Sequence, residues 1–588
     1  MGFVELFRRV AGEVGRGHEF ATPFLRPEPR CRFAFRGGPL HNRGPFVLDP
    51  FSAKVSPVNQ PTLPTQPAAT GTTFGQWMAL LAALLGWMFD GAEMGVFSMV
   101  GRAAIQDMLG ISGQPTPDQE KQLGLFFGVV IAVFLVGAAT GGVLFGWLGD
   151  RIGRVRAMSF SVLTYALFTG LCGFAQSPLQ LGMLRFIAAL GMGGEWSLGV
   201  ALVMEVWPNR SRALMAGLIG AAANAGYLLV GVVGIGLAAI LTQFAGWLTD
   251  IGLPDATVKM LVANKGWRLM MMLGTLPAFL TFFFRIFVPE SHKWEEQQGR
   301  GGTSNWATVD LIGVVVGAIG PAMIIFVWAD SSTSTTVRVA GTLIGLVIAT
   351  VGYIYPVLRF LLRTYAHAPN AAAEIGTTVR RMLLAACLSG VALLGTWGTT
   401  QWAMTWAGQL TGHIKDTAEL SFIWRNPREY TQIFTSVGAI IGTIAAAMLG
   451  DWIGRRWAYC VLCVLSMASV LWFYQFHSEF GWPFLIAAFI AGVCTASFYG
   501  WLPLYLPELF ATKVRATGQG FGFNFGRILA AIGTLQMGAL LGQFSGFTTY
   551  AGKTGGYPVA CSFISAVYLV GVVLIWFAPE TKGQPLPE

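Results

Sequence analysis

Four ionisable side chains stand inside stretches that are otherwise apolar. Asp90 and Glu93 lie in the run 76–100, and Arg185 and Glu195 in the run 179–205. Asp90 and Glu93 are three positions apart, hence close together on one side of a helix. A charge within lipid costs roughly 2.5–3.5 kcal/mol on insertion scales, so each needs a partner or a task. A buried carboxylate holds a proton when alone and gives it up beside a guanidinium. Proton loading and release is therefore one reading of these acids, and a permanent structural pair is the other. A second set is polar and aromatic: Trp397, Thr399, Thr400, Gln401, Trp402 and Trp406 in one run, Asn224 and Tyr227 in another, Asn524 and Arg527 in a third. Arg527 has the planar fork that meets a carboxylate with two bonds. Trp and Tyr faces suit a sugar ring or an apolar group, although interfacial belts also use them.

The elements that must position these groups are membrane helices. Of the 588 residues, 54% are hydrophobic and only 11% charged, and the mean hydropathy is +0.58. A soluble domain carries about a quarter charged residues. Disorder, collagen and soluble coiled coil are excluded, and a polytopic membrane protein fits. The 75 glycines suit close helix approach in lipid. At roughly 20 apolar residues per crossing, about fourteen runs qualify. They cover 76–100, 124–149, 157–176, 179–205, 213–243, 267–289, 308–329, 338–358, 382–410, 430–449, 457–476, 482–505, 516–542 and 557–578. The net charge, 38 − 29 = +9, is concentrated after even-numbered runs. Arg151, Arg154 and Arg156, Arg210 and Arg212, Arg455 and Arg456, and Lys513 and Arg515 all stand there. That bias predicts a cytoplasmic location for this side and for both termini, in a plasma or inner membrane. Residues 1–73 are rich in Pro, Gly and Arg and hold no spanning run, with a linker-like stretch at Val55–Gln66. They read as a disordered tail, cytoplasmic or translated from upstream of the true start, and lack the apolar core of a signal peptide.

The chain repeats itself. Gly149-Asp150-Arg151-Ile152-Gly153-Arg154 follows the second run, and Gly450-Asp451-Trp452-Ile453-Gly454-Arg455 follows the tenth. Glu205 precedes Arg212 by seven positions, and Glu508 precedes Arg515 by the same seven. The offsets, 451 − 150 = 301 and 508 − 205 = 303, keep the two pairs in register. This predicts two related halves of six helices, 74–298 and 371–588, with a helix hairpin inserted over 299–370. Charges at the membrane edge can cap helix ends or pair with neighbouring helices. Asp150, Arg151, Arg154, Glu205, Arg212, Asp451, Arg455, Glu508 and Arg515 therefore read as a gating network, or more simply as orientation charges.

The string Gly146-Trp-Leu-Gly-Asp-Arg-Ile-Gly-Arg154 resembles the loop 2–3 motif of the major facilitator superfamily. Arg185 with Gly191, Gly193 and Gly194, followed by Glu205 and Arg212, is similar to the fourth and fifth helices of sugar and organic-anion porters. So are Pro289-Glu-Ser291 and Pro579-Glu-Thr-Lys-Gly583 to the sugar-porter-like branch. Gly86-Trp-Met-Phe-Asp90, Gly193-Gly-Glu-Trp196 and Pro507-Glu-Leu-Phe look most like proton symporters for sialate, lactate and other carboxylates. The resemblance covers 76–583. It implies an all-α major facilitator fold and transport by alternating access. It also implies that Asp90 is the first-helix acid facing Arg185 in the fourth. From the residues themselves, Glu195 is the rival proton site, or a helix contact in Gly-rich surroundings, and Glu93 is a further candidate. One stretch departs from the resemblance. Monocarboxylate members carry a His and an Asp around Gly-Thr-Gln, whereas Gly395-Thr-Trp-Gly-Thr-Thr-Gln-Trp402 has two Trp and no charge. A bulkier or polyhydroxylated substrate is expected.

No GxxxxGK[ST] loop occurs, so no ATP site of that type is predicted. Gly518-Gln-Gly520-Phe-Gly522 lies on a spanning run and reads as packing. Among 6 His and 7 Cys there is no catalytic or metal constellation; Cys460 and Cys463 read as packing residues. The expectation is a monomeric, cofactor-free transporter rather than an enzyme, with small-molecule substrate, protons and lipid as partners and no nucleic acid. It would take up an organic acid such as a sialic acid with protons, through Asn224, Tyr227, Trp397, Thr400, Gln401, Trp402, Asn524 and Arg527. The alternatives are a sugar or drug carrier, or a membrane sensor signalling through the tail.

Overall fold

The computed structural model describes residues 74–111, 113, 115–273, 275, 287–329, 333–412 and 422–588. The expected tail over 1–73 lies outside the described residues. All long elements are helices, as apolar sequences in lipid require: with no water to satisfy backbone groups, the helix bonds must do so. Thirteen described helices are long and apolar enough to cross a membrane. They match every predicted run but the sixth, of which residues 274 and 276–286 are not described.

In chain order the helices are α1 (Phe74–Met108), α2 (Pro117–Ile152), α3 (Arg154–Cys172), α4 (Pro178–Val206), α5 (Arg212–Asp250), α6 (Asp255–Leu273), α7 (His292–Gly299), α8 (Ile312–Ala329), α9 (Thr335–Thr364), α10 (Ala371–Gly398), α11 (Ala403–Thr411), α12 (Pro427–Ile453), α13 (Arg455–Phe476), α14 (Trp482–Thr495), α15 (Phe498–Tyr505), α16 (Arg515–Gln543), α17 (Gly556–Ser565) and α18 (Val567–Leu574). Their starts carry ordinary stop and start chemistry. Ser177 and Ser334 each accept the backbone N–H three residues on, and Thr116 with Gln119 forms a capping box.

Two seams join helices that precede the hairpin to helices that follow it. α2 packs along α16, and α5 along α12 and α15. Glycine makes both seams possible. A Cβ at Gly520 would lie 2.2 Å from the Gly142 carbonyl, and one at Gly220 2.4 Å from that of Tyr499. The hairpin α8–α9 packs against α2 and, more lightly, α16, and Tyr353 and Thr140 share a buried hydroxyl hydrogen bond of 2.7 Å. Its outer faces expose Val315, Ile319, Phe326, Leu343 and Val347, as a lipid-facing surface does.

Three predicted runs are discontinuous. The ninth is broken at Thr399 and resumes as a single 3₁₀ turn over Thr400–Trp402 before α11. The twelfth is split at Ala496–Ser497 between α14 and α15, and the fourteenth at Ala566 between α17 and α18. Irregular backbone at membrane depth is tolerated only in protein or beside a cavity. The first two breaks satisfy this, because Thr400 and Gln401, and Thr495 and Ala496, line the central cavity.

Candidate functional site

A central cavity of about 80 Å³ lies between the two seams. Asp90 and Trp87 come to it from α1, Asn224 and Tyr227 from α5, Thr396 and Trp397 from α10, Thr400 and Gln401 from the break, and Arg527 and Phe523 from α16. Seven predicted residues therefore converge: Asp90, Asn224, Tyr227, Trp397, Thr400, Gln401 and Arg527. Gln432, Thr435 and Ser436 on α12 and Tyr499 on α15 also line it, and sequence reasoning missed them. The signal was a polar pair repeated one helical turn on, Thr431–Gln432 and Thr435–Ser436, within an apolar run.

Asn524, Trp402 and Trp406, also named from the sequence, lie elsewhere. Asn524 faces α2 and α4, donating to the carbonyls of Gly193 and Gly520, both at 3.0 Å. It joins helices where glycines allow contact. Trp402 stacks on Tyr557 at 5.3 Å and lines a separate outer chamber. Trp406 packs among Phe473, Tyr474 and Phe484.

Arg185 reaches the second of the two first-helix acids. Arg185 donates to Glu93 at 2.8 Å, between the rings of Phe97 and Phe134. The carboxylate held by the fourth-helix Arg is thus Glu93, one turn beyond Asp90. Asp90 is 1% exposed, and its charge acts on Arg527, across the cavity on α16. Arg527 also touches Met192 Sδ at 3.5 Å and lies over the Phe523 ring. Glu195 is buried in α4 outside the cavity lining.

On the signature-loop side the repeat becomes two networks. In the first, buried Asp150 accepts from Arg154 at 2.8 Å and from the Ala516 and Thr517 N–H groups at 3.2 and 2.9 Å. It thereby caps α16 from the other half, where a carboxylate meets unpaired N–H groups and the helix dipole. Glu205 accepts from Arg515 at 2.7 Å, from Arg154 at 3.3 Å and from Ser291. Arg151 bonds Thr308 at the start of the hairpin. In the second network Arg455 donates to Glu508 at 2.8 and 3.0 Å and to Asp451 at 3.3 Å, and Thr581 donates to Glu508. The two are unequal. The first crosses to α16, while Asp451 is more than half exposed and Arg212 bonds its neighbour Asn209. The side carrying Asp150 is closed. At the other end of the helices a chamber of about 700 Å³ opens. Between chamber and cavity, Gln432 donates to the Tyr227 carbonyl at 2.7 Å, and Gln401 to its hydroxyl at 3.4 Å.

Among the described residues no cluster of His, Cys, Asp and Glu could hold a metal ion.

The family model "Sugar (and other) transporter" matches residues 77–305 and 333–583. The chain belongs to this family. The gap between the two matched segments falls over α8. A putative metabolite transport protein of Haemophilus influenzae is 25% identical over 87% of this chain and 98% of its own. A cis,cis-muconate transport protein of Acinetobacter baylyi is 23% identical over 78% and 86%. A putative niacin/nicotinamide transporter of Bacillus subtilis is 24% identical over 85% and 96%. Among solved structures, the proton:xylose symporter XylE superposes with a TM-score of 0.60 at 17% identity, covering 87% of this chain and 98% of that one. The protein is a membrane transporter of the major facilitator fold, not an enzyme.

Proposed function

We propose that this transporter carries a small organic acid together with protons by alternating access. The observation that carries the reading is the meeting of Asp90 and Arg527 from opposite halves in one cavity walled by Trp87, Trp397 and Phe523. The relatives' names for muconate and niacin transport point to planar acids, not to sialate. An incoming carboxylate engages the Arg527 fork and takes it from Asp90. A buried carboxylate keeps its charge only beside a cation and otherwise holds a proton. Substrate and proton therefore load together, and each leaves when Arg527 returns to Asp90. Glu93 with Arg185 is a second station for the proton, or a fixed pair that holds α1 to α4. Asn224, Gln401 and Gln432 supply hydrogen bonds to the substrate's other polar atoms.

The halves that rock are 74–298 and 371–588, the hairpin 299–370 rides at their seam, and the Asp150 and Glu205 networks hold the closed side. The excess of Arg and Lys on that side supports a cytoplasmic assignment, with both termini inside. The cavity of about 80 Å³ is small beside the 300–1,000 Å³ of ligand pockets. It corresponds to a contracted site that widens on binding.

The test is uptake of labelled benzoate and cis,cis-muconate into vesicles. An inward proton gradient drives accumulation in the parent chain. Asp90→Asn keeps exchange across the membrane but loses gradient-driven accumulation. Retained accumulation in that variant moves the role to Glu93, and accumulation of neither acid under any gradient removes the acid reading.

A further inference from the structure

The outer chamber is not needed to explain the central site, yet its lining is specific. Its walls come from both halves and from the inserted hairpin. The 3₁₀ turn at the broken ninth span separates it from the cavity: Thr400 and Gln401 face inward, whereas the next residue, Trp402, faces the chamber. Trp402 stacks with Tyr557 at an interplanar angle of 20°, and its indole N–H is buried with no hydrogen-bond partner. Arg428 lines the same chamber and lies within electrostatic reach of Glu429, Arg102 and Tyr557. Arg102 is bonded to Glu120, which with Asp118 supplies the chamber's acids. The hairpin adds Arg338, whose guanidinium lies 5.3 Å from the Trp328 ring centroid.

We propose that this chamber is a second, outer binding site for a planar carboxylate, occupied before the substrate crosses the Gln401–Tyr227 barrier. Arg428 takes the carboxylate, the Trp402–Tyr557 stack takes the planar body, and the Trp402 N–H donates to the anion. Three features fit this occupant. The Arg428 fork opens on the chamber and meets a carboxylate with two bonds, in a lining of three guanidiniums and two carboxylates with Glu429 acting on it from beside the wall. Aromatic faces contribute to binding of flat conjugated bodies. A buried donor without a partner is costly, and an acceptor on the ligand satisfies it. The inserted hairpin thereby gains a role, since Trp328 and Arg338 complete the wall. The proposal rests on the organic-acid reading and adds a site to it.

The experiment is equilibrium binding of labelled benzoate to the full chain in lipid nanodiscs, with neutral benzamide as competitor, alongside vesicle uptake. Two benzoates bind per parent chain. Arg527→Ala retains one, the outer, and Arg428→Ala retains one, the inner. Benzamide displaces neither efficiently. In uptake, Arg428→Ala raises KM about tenfold, equivalent to about 1.4 kcal/mol, with kcat within about twofold. Arg428→Lys recovers part of the loss, and Trp402→Leu acts in the same direction with the charge intact. A single benzoate in the parent, abolished by Arg527→Ala and untouched by Arg428→Ala and Trp402→Leu, overturns the outer site and leaves the acid reading standing. Failure of benzoate and muconate to bind the parent at all overturns both.

Discussion

The Glu93–Arg185 pair shows how a single contact sets what a buried acid can do. Both partners are almost wholly buried, at 3% and 1% exposure, and the guanidinium is further held between two rings. Removing one partner of such a pair leaves an uncompensated charge, at a cost of about 3–5 kcal/mol, whereas replacing both with apolar residues is often close to neutral. Arg185→Leu is therefore expected to lower the melting temperature of the purified protein strongly, and Arg185→Leu with Glu93→Leu to restore most of it. The double variant also separates two roles. If it transports with coupling intact, the pair is structural; if it exchanges substrate but ignores the proton gradient, Glu93 carries protons. Much of this chemistry was legible in the sequence, because Asp90, Glu93, Arg185 and Arg527 are charges in apolar runs and have few tasks open to them. Which acid faces which Arg was not legible. Asp90 and Glu93 are separated by about a helical turn, and a small rotation of α1 exchanges their surroundings. The neutral groups Gln432, Ser436 and Tyr499 carry no insertion penalty large enough to mark them.

At the scale of elements, the two G-D-x-I-G-R strings act as helix joints. Gly153 and Gly454 have φ of +112° and +97° with ψ of 154° and 160°. That region is essentially open to glycine alone and costs other residues about 1–3 kcal/mol. A Cβ at Gly153 would also lie 2.4 Å from a Glu290 carboxylate oxygen. Gly153→Ala is expected to destabilise the protein by at least that strain, read as a lower melting temperature, and an unchanged value would contradict the geometry. Each joint feeds a helix capped by a distant acid: Glu290 accepts from the Arg154 and Val155 N–H groups, and Glu580 from those of Arg455 and Arg456. Burial pushes the Glu580 carboxyl up, but the N–H groups of Arg455, Arg456 and Lys582 outweigh it and hold it below the usual carboxylate range. A lowered folded-state value means that the cap's contribution is fully present above the unfolded value of about 4.3 and fades as pH falls through the folded one. Acid melts of the parent should therefore lose stability below about pH 4.3 more steeply than those of Glu580→Gln. These acids were visible as Pro-Glu-Ser and Pro-Glu-Thr strings, yet nothing local ties them to helices more than a hundred residues away. Nor did hydropathy show the break at Thr399. Thr399, Thr400 and Gln401 are uncharged, and the apolar residues on either side keep the run apolar enough to span; the break borders the cavity.

At the scale of the whole molecule, the two repeated networks differ, and the proposed alternating access gives that asymmetry a task. Asp150 and Glu205 bond across to α16, whereas Asp451 makes no equivalent crossing among the described contacts and Arg212, bonded to Asn209, feels Glu508 of the other half by charge, without a hydrogen bond to it among those contacts. A short segment after the last helix strengthens the closed side: Leu586 is buried, and the Pro587 carbonyl accepts from Arg515, the same side chain that holds Glu205. Alternating access needs these contacts to be breakable together, since rocking about the seams cannot open one and keep the others. Their loss should shift the population between states rather than unfold the chain. Thiol labelling with a membrane-impermeant reagent, on a chain freed of its native cysteines, reads this shift. Thr405→Cys lines the chamber and labels from that side. Ser197→Cys is wholly buried between the cavity and the closed end, where Gln519 donates to the Ser197 carbonyl across the seam, and it stays unlabelled. Adding Asp150→Asn with Glu205→Gln should make Ser197→Cys reactive from the signature-loop side and reduce labelling of Thr405→Cys. Reactivity at Ser197→Cys in the parent, or no reciprocal change between the two positions, would mean that the networks stabilise helices without choosing a state.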